Sequence, residues 1–154
     1  MQMTPDKKKN KLYIVVPCYN EEQVLGETSK RLKIKCENLI QKGQISKDSK
    51  IVFVDDGSKD RTWKMISELH ETDSLFSGVK LSRNRGHQNA LLAGLTMASE
   101  HADMAISMDA DLQDDINAVD QMIEKYYEGC DIVYGVRSAR ETDTFSSVYC
   151  GSLL

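Results

Sequence analysis

The apolar positions of this chain fall alternately into short continuous runs and into helical stripes, and that switching predicts its elements. Leu12-Tyr-Ile-Val-Val-Pro17 is a continuous, largely β-branched run. It is the pattern of a strand buried on both faces of a parallel sheet, ended by Pro17. Asn20 stands where a helix N-cap is expected, with Gln23 completing a capping box. Val24, Leu25, Thr28, Leu32, Cys36, Leu39 and Ile40 then recur at helical spacing, and Gly43 stops the helix. Lys50-Ile-Val-Phe-Val54 reads as a second buried strand. It leads through the turn former Asp55-Asp56-Gly57-Ser58 to a helix capped by Asp60 and built on Trp63, Ile66 and Leu69.

The alternation continues. Val79-Lys-Leu81 predicts a short third strand, and the polar loop Ser82 to Gln88 leads into a helix built on Ala90, Leu91, Gly94, Leu95 and Ala98. Its small residues allow close packing on a sheet. Met104 to Met108 predicts a fourth strand. Ile116, Val119, Met122, Ile123 and Tyr126 form another helix stripe closed by Gly129, and Asp131-Ile-Val-Tyr134 a fifth strand. The order β-α-β-α-β-α-β-α-β predicts a three-layer α/β/α fold with a mostly parallel sheet. Residues 1–11 are polar, with four lysines, and are expected to be a disordered basic tail. Residues 12–141 carry the domain. Residues 142–154 read as the incomplete start of a further segment.

Size and charge narrow the classes. A chain of 154 residues makes one domain with a real core. With a net charge of −4, nothing suggests nucleic acid as a bulk partner. No apolar leader region is seen, and no stretch approaches the roughly 18 apolar residues that a membrane span requires. Cys18, Cys36, Cys130 and Cys150 show no CxxC spacing and are read as reduced thiols in a cytoplasmic setting.

In open α/β sheets, ligands bind beyond the carboxyl ends of the strands. Here those ends carry Tyr19-Asn-Glu21-Glu22, then Asp55-Asp56, then Arg83-Asn-Arg85, then Asp109-Ala-Asp111, then Arg137. Side chains at i and i+2 of a strand leave the same face, so Asp109 and Asp111 can converge on one point. Paired carboxylate oxygens suit a hard cation, Mg²⁺ or Mn²⁺, whose shell is completed by water and phosphate. An isolated Asp-x-Asp is more often a solvated turn; the gathering of the other groups at one edge changes that balance. Asp55 and Asp56 can serve as turn formers or accept from ribose hydroxyls or a base N–H. Arg85, beside a helix N-terminus, can face a phosphate. His87 is read as structural. Neither a Gly-x-Gly-x-x-Gly fingerprint nor a P-loop is present, so metal and side chains must hold any phosphate. A phosphorylation receiver domain would need its acidic pair after the first strand, its phosphoacceptor after the third and a lysine after the fifth; here the pair Asp55-Asp56 follows the second strand, the Asp-x-Asp follows the fourth, and the fifth leads to Arg137.

Four stretches in order, Ile14-Val-Val-Pro17-Cys-Tyr19-Asn20-Glu21, Val54-Asp55-Asp56-Gly57-Ser58-Lys-Asp60-Arg-Thr62, Leu81-Ser-Arg-Asn-Arg-Gly-His-Gln88 and Asp109-Ala-Asp111-Leu112-Gln113-Asp114, resemble the family 2 inverting glycosyltransferases of GT-A fold. Within that family the chain is most similar to the polyprenyl-phosphate (bactoprenol or dolichol phosphate) sugar transferases. The resemblance covers roughly residues 12 to 141. It implies a nucleotide-diphospho-sugar transferase fold, here truncated at the C-terminus. It also implies that Pro17, Tyr19 and Glu21 line the base and ribose pocket and that Asp55 or Asp56 contacts the base. Asp109 and Asp111 would bind Mg²⁺ or Mn²⁺, Gln113 would lie near the sugar or the metal, and Arg137 near a phosphate. Two departures stand out: Asp115-Ile116 replaces a frequent proline, and the amphipathic and membrane helices of such enzymes have no counterpart before Leu154.

The implied reaction moves a sugar from a nucleotide-diphosphate donor, UDP-sugar favoured over GDP-sugar, to a polyprenyl phosphate with inversion. A phosphate nucleophile is already ionised and needs no base. A saccharide hydroxyl would need one, and Asp114 is the candidate. The alternative is a truncated donor-binding module without transfer. The implied setting is cytoplasmic, at the inner face of the membrane, with oligomers possible.

Overall fold

The computed structural model describes residues 9–137 and 145–151. Ten elements follow in order: β1 (Leu12–Cys18), α1 (Leu25–Gln41), β2 (Lys50–Asp55), α2 (Thr62–Thr72), β3 (Phe76–Lys80), α3 (His87–His101), β4 (Met104–Ser107), α4 (Ala118–Tyr127), β5 (Ile132–Arg137) and β6 (Phe145–Gly151). The chain divides into two compact units, Met1–Asp111 and Leu112–Leu154.

The first unit is built on a parallel four-stranded sheet in the order β3-β2-β1-β4. Its central strands are buried on both faces, as their continuous apolar runs require: Ile14, Val15, Val16, Ile51, Val52, Phe53 and Val54 are all fully buried. Alternation sorts them. Val15, Val52 and Val54 pack with Ala90 and Ala98 of α3. Phe53 stacks on Phe76, and Phe53 is paired in register with Gly78, which lies against Ile66 and Trp63 of α2. Helices therefore cover both faces, the α/β/α layering expected.

Gly94 makes the α3 contact possible. A Cβ there would lie 2.4 Å from Val15 Cγ1 and 2.8 Å from Val54 Cγ2. Gly94→Ala is expected to cost about 1–3 kcal/mol by overpacking, measured as a lower urea midpoint with an unchanged slope.

Several boundaries differ from the sequence reading. β1 runs through Pro17 to Cys18. Val15 faces β4, accepting from the Met108 amide, so Pro17 faces that side as well, past the last β4 residue at Ser107. Its missing N–H falls where no ladder bond is needed. β3 begins at Phe76 rather than Val79 because Phe76 pairs with Ile51.

In the second unit, α4 packs on the β5–β6 pair. The fifth strand is not a member of the parallel sheet: β5 pairs antiparallel with β6, which the sequence analysis left without an element. Two strands close in sequence pair at low loop-closure cost. That pairing brings Cys130 to Cys150, which form a disulfide with Cα atoms 5.5 Å apart. The expectation of four reduced thiols is thus corrected for this pair. Cys18 and Cys36 are free and buried. Burial, with the charge of Glu37 adding to it, pushes the Cys36 thiol up to about 12. Burial, with the charges of Glu21 and Asp55, pushes Cys18 up as well.

Candidate functional site

The order β3-β2-β1-β4 reverses direction beside β1: successive strands step outward to β3, and the chain then returns to lay β4 on the other flank of β1. Such a switch point opens a crevice at the carboxyl edge. Tyr19 to Glu21 leave β1 on one side of it, and Asp109 and Asp111 follow β4 on the other.

The loop after β1 is tied to the loop after β2. Asn20 has a left-handed backbone with φ of 53°. Its amide donates to Ser58 Oγ at 2.9 Å, and its Oδ1 accepts from the Lys59 amide at 2.8 Å. The Glu21 amide donates to Thr62 Oγ1, and Glu22 Oε2 accepts from the Arg61 amide. The Asn20 capping box is therefore not formed. The helix begins at Leu25, and the Asn20 side chain is spent on the neighbouring loop, a polar partner 39 residues away. Tyr19 is left projecting, 40% exposed.

Asp60 closes this knot. Its Oδ1 accepts from the amide and the hydroxyl of Thr62, and its Oδ2 from the Glu22 amide. Burial raises its carboxyl, but these hydrogen bonds outweigh burial and hold it below the ordinary value. A carboxyl lowered in the folded state contributes stability above its unfolded value and loses it as pH falls through the folded value. Asp60→Ala is expected to cost about 1 kcal/mol near neutral pH. The gap to the wild-type chain should narrow on acidification below the carboxylate range, read from paired thermal melts.

Asp55 and Asp56 are both buried, 0% and 3% exposed. Asp56 latches the loop after β3: its Oδ1 accepts from the Arg85 amide at 2.7 Å and its Oδ2 from the Gly86 amide at 3.0 Å. Gly57, with φ of 73°, lets that loop come close. A Cβ there would lie 2.5 Å from the Asn84 amide nitrogen. Asp55 Oδ1 accepts from the Ser58 amide at 3.3 Å, and among the described residues its buried Oδ2 has no hydrogen-bond partner. A buried oxygen so placed is costly.

Across the crevice, Asp109 and Asp111 are exposed and Ala110 between them is buried. The hydroxyl of Thr28 lies 2.6 Å from the Ala110 carbonyl oxygen and 3.0 Å from that of Val24. That contact turns the small residue inward and both carboxylates outward. Leu112 follows with φ of 61°, a left-handed residue other than glycine at a site edge. The Glu21 carboxyl is raised, by burial first and then by the negative charges of Asp111, Asp60 and Asp109. Three acids from two strand ends thus share one field, and a cation is the natural counter-charge. Among the described residues no group of three or more His, Cys, Asp or Glu side chains is arranged as a metal cage. Two carboxylates suit Mg²⁺ or Mn²⁺, which take the rest of their shell from water and phosphate.

Pro17 is buried within β1, and Arg85 is exposed on the latched loop. Gln113 and Asp114 belong to the second unit. Arg137 ends β5, and its side chain lies outside the described residues, as do residues 1–8 of the expected tail. Two contributors were missed. Thr28 was read as part of an apolar stripe; a hydroxyl within a buried stripe is the signal that it needs a partner. His87 was read as structural, yet its Nε2 lies 3.6 Å from Asp109 Oδ1. No helix among the described residues is long and apolar enough to cross a membrane.

Residues 13–150 match the family model described as glycosyl transferase family 2. The chain is 55% identical over 134 residues to the uncharacterized glycosyltransferase YkoT of Bacillus subtilis (strain 168), covering 87% of this chain and 40% of that protein. It is 35% identical to an undecaprenyl-phosphate 4-deoxy-4-formamido-L-arabinose transferase of Enterobacter sp. (strain 638), covering 93% of this chain and 42% of that one. It is 38% identical to the bactoprenol glucosyl transferase of Shigella phage SfV, covering 86% and 41%. The chain thus spans about two fifths of the length of these relatives. Among solved structures it is similar to S. aureus TarS 1-349 in complex with UDP-GlcNAc, with a TM-score of 0.58 at 20% identity, covering 77% of this chain and 31% of that one. A mannosyltransferase from Pyrobaculum calidifontis in complex with GDP-Man and Mn²⁺ matches with a TM-score of 0.54 at 23% identity, covering 68% and 28%.

Proposed function

The chain belongs to glycosyl transferase family 2, and from that premise we propose that it carries the donor site of a transferase moving a sugar, with inversion, from a nucleotide-diphosphate sugar to a polyprenyl phosphate. The observation that carries this reading is the pairing of Tyr19 and Glu21 with Asp109 and Asp111 across the switch point beside β1. The undecaprenyl-phosphate and bactoprenol transferases among the relatives support the lipid-phosphate acceptor, and an acceptor of that kind brings the reaction to a membrane surface.

In this reading Tyr19 stacks on the base, and Asp55 or Asp56 accepts from the base or ribose. Arg85 offers positive charge to phosphate. Asp109 and Asp111 would hold Mg²⁺ or Mn²⁺; the neighbour solved with Mn²⁺ supports that choice. When bound, the cation supplies Lewis-acid neutralisation of the charge gathering on the departing nucleoside diphosphate. A lipid phosphate is ionised at neutral pH, so no residue need remove a proton. A saccharide hydroxyl in envelope or capsule synthesis would require a base, and Asp114 would be the group.

Calorimetric titration with UDP and with GDP, each with Mn²⁺ and with EDTA, tests the donor site. Saturable, metal-dependent binding of one nucleotide, UDP by expectation, supports it. A well-folded chain that ignores both nucleotides contradicts it.

A further inference from the structure

We propose that His87 is a positioning residue for Asp109: an imidazole set by the latched loop to hold one oxygen of the carboxylate that faces the cation. The inference rests on the donor-site reading above and adds to it a group outside the expected set.

Three observations carry it. First, His87 Nε2 lies 3.6 Å from Asp109 Oδ1, with both side chains 55% exposed. That is a close approach rather than a hydrogen bond; sites of this kind tighten when their ligand arrives. Second, the residues just before His87 are fixed. Asp56 takes the amides of both Arg85 and Gly86, Asn89 Nδ2 donates to the Arg85 carbonyl, and the Ala90 amide donates to the Gly86 carbonyl. The start of α3 has little freedom, and His87 is delivered to the carboxyl edge by the same carboxylate that orders the loop. Third, the other two histidines are placed otherwise. His70 Nδ1 contacts the Phe76 carbonyl at 2.8 Å, and His101 ends α3 at the far end from His87.

The chemistry follows. An exposed aspartate has several rotamers, and a cation selects one. An N–H brought onto Oδ1 as the site tightens would preselect it, as hydrogen-bonded partners behind metal ligands generally do, and loss of such a partner typically lowers metal affinity 10- to 100-fold. Thr28 does the same for the backbone, through Ala110. Together they fix the Asp-x-Asp from the main-chain side and from the side-chain side.

The test follows the signal of free aqueous Mn²⁺ by electron paramagnetic resonance as the chain is added, without and with UDP. Wild type is compared with His87→Ala, His87→Gln and Asp111→Ala. His87→Ala is expected to raise the Mn²⁺ dissociation constant about tenfold, and His87→Gln, whose amide N–H can reach the same oxygen, to recover most of that loss. His87→Ala with wild-type or tighter Mn²⁺ affinity, while Asp111→Ala loses the ion, overturns the role of His87 alone. His87→Gln as weak as His87→Ala overturns its N–H-donor basis. A wild-type chain that holds no Mn²⁺ even with UDP overturns the donor-site reading and the role of His87 with it.

Discussion

Asp111→Ala is expected to abolish metal-dependent nucleotide binding while leaving the fold intact or slightly more stable. The carboxylate is exposed, so its removal opens no cavity. The backbone beside it is held by the Thr28 contact to Ala110, so the loop keeps its course. What changes is charge. Asp111 is the largest electrostatic contributor to the raised Glu21 carboxyl, so removing it relieves repulsion in the apo chain. The same removal takes away one of two carboxylates expected to hold the cation against the donor diphosphate. Metal neutralisation of phosphate charge is worth several kcal/mol, so affinity for UDP with Mn²⁺ should fall about a hundredfold or more. Calorimetry reads the affinity, and a thermal melt of the apo variant reads the fold. Lost binding with an equal or higher melting temperature separates a ligand residue from a structural one.

Gly57→Ala is expected to damage both stability and donor binding. Its φ of 73° is strained for alanine, and the added Cβ would lie 2.5 Å from the Asn84 nitrogen and 2.6 Å from the Arg83 carbonyl carbon. These are backbone atoms, which cannot rotate away, so a loop must move. Strain and overpacking together should cost about 2–4 kcal/mol, or roughly 5–15 °C in melting temperature for a domain of this size. The loop that moves is the one Asp56 latches, and it carries Arg85 and leads into His87. Nucleotide affinity should fall too, even in the cold, where the variant is folded. Gly86→Ala is the control. It has a φ of 90° but nothing within 4 Å of its Cβ. With ψ of 155° it sits in a region essentially reserved for glycine, so it should cost about 1–3 kcal/mol from backbone strain alone, with no overpacking.

The sequence carried most of the fold and much less of the site's wiring. The runs Leu12 to Pro17 and Lys50 to Val54 announce buried parallel strands because burial on both faces leaves no polar alternation to misread. Asp109 and Asp111 do stand beyond the end of β4, exposed on either side of buried Ala110, but in the turn that follows rather than on the strand whose two-residue period the sequence reading used. The misreadings were of partners far along the chain. Asn20 has the composition of a helix cap, but Ser58 and Lys59, 38 and 39 residues on, claim its amide and side chain. Thr28 meets Ala110 across 82 residues. No local propensity encodes either choice, because the competing hydrogen bonds are equally good until the strands are in register. Cys130 and Cys150 were unreadable for a related reason: their proximity depends on β5 leaving the parallel sheet to pair with β6. His87 was discounted as an isolated histidine, although its loop at a strand's carboxyl edge already placed it among candidate groups.

A metal-bound nucleotide is expected at the switch point beside β1. The most direct measurement is the amide spectrum of the ¹⁵N-labelled chain with UDP, recorded first with Mg²⁺ and then with substoichiometric Mn²⁺, whose paramagnetism broadens nearby signals. The account predicts that the signals of Tyr19 to Glu21, Asp56 to Ser58, Arg85 to His87 and Asp109 to Leu112 broaden together, and that Asp111→Ala restores them. Broadening confined to other acidic surfaces, with these four segments sharp, would contradict it.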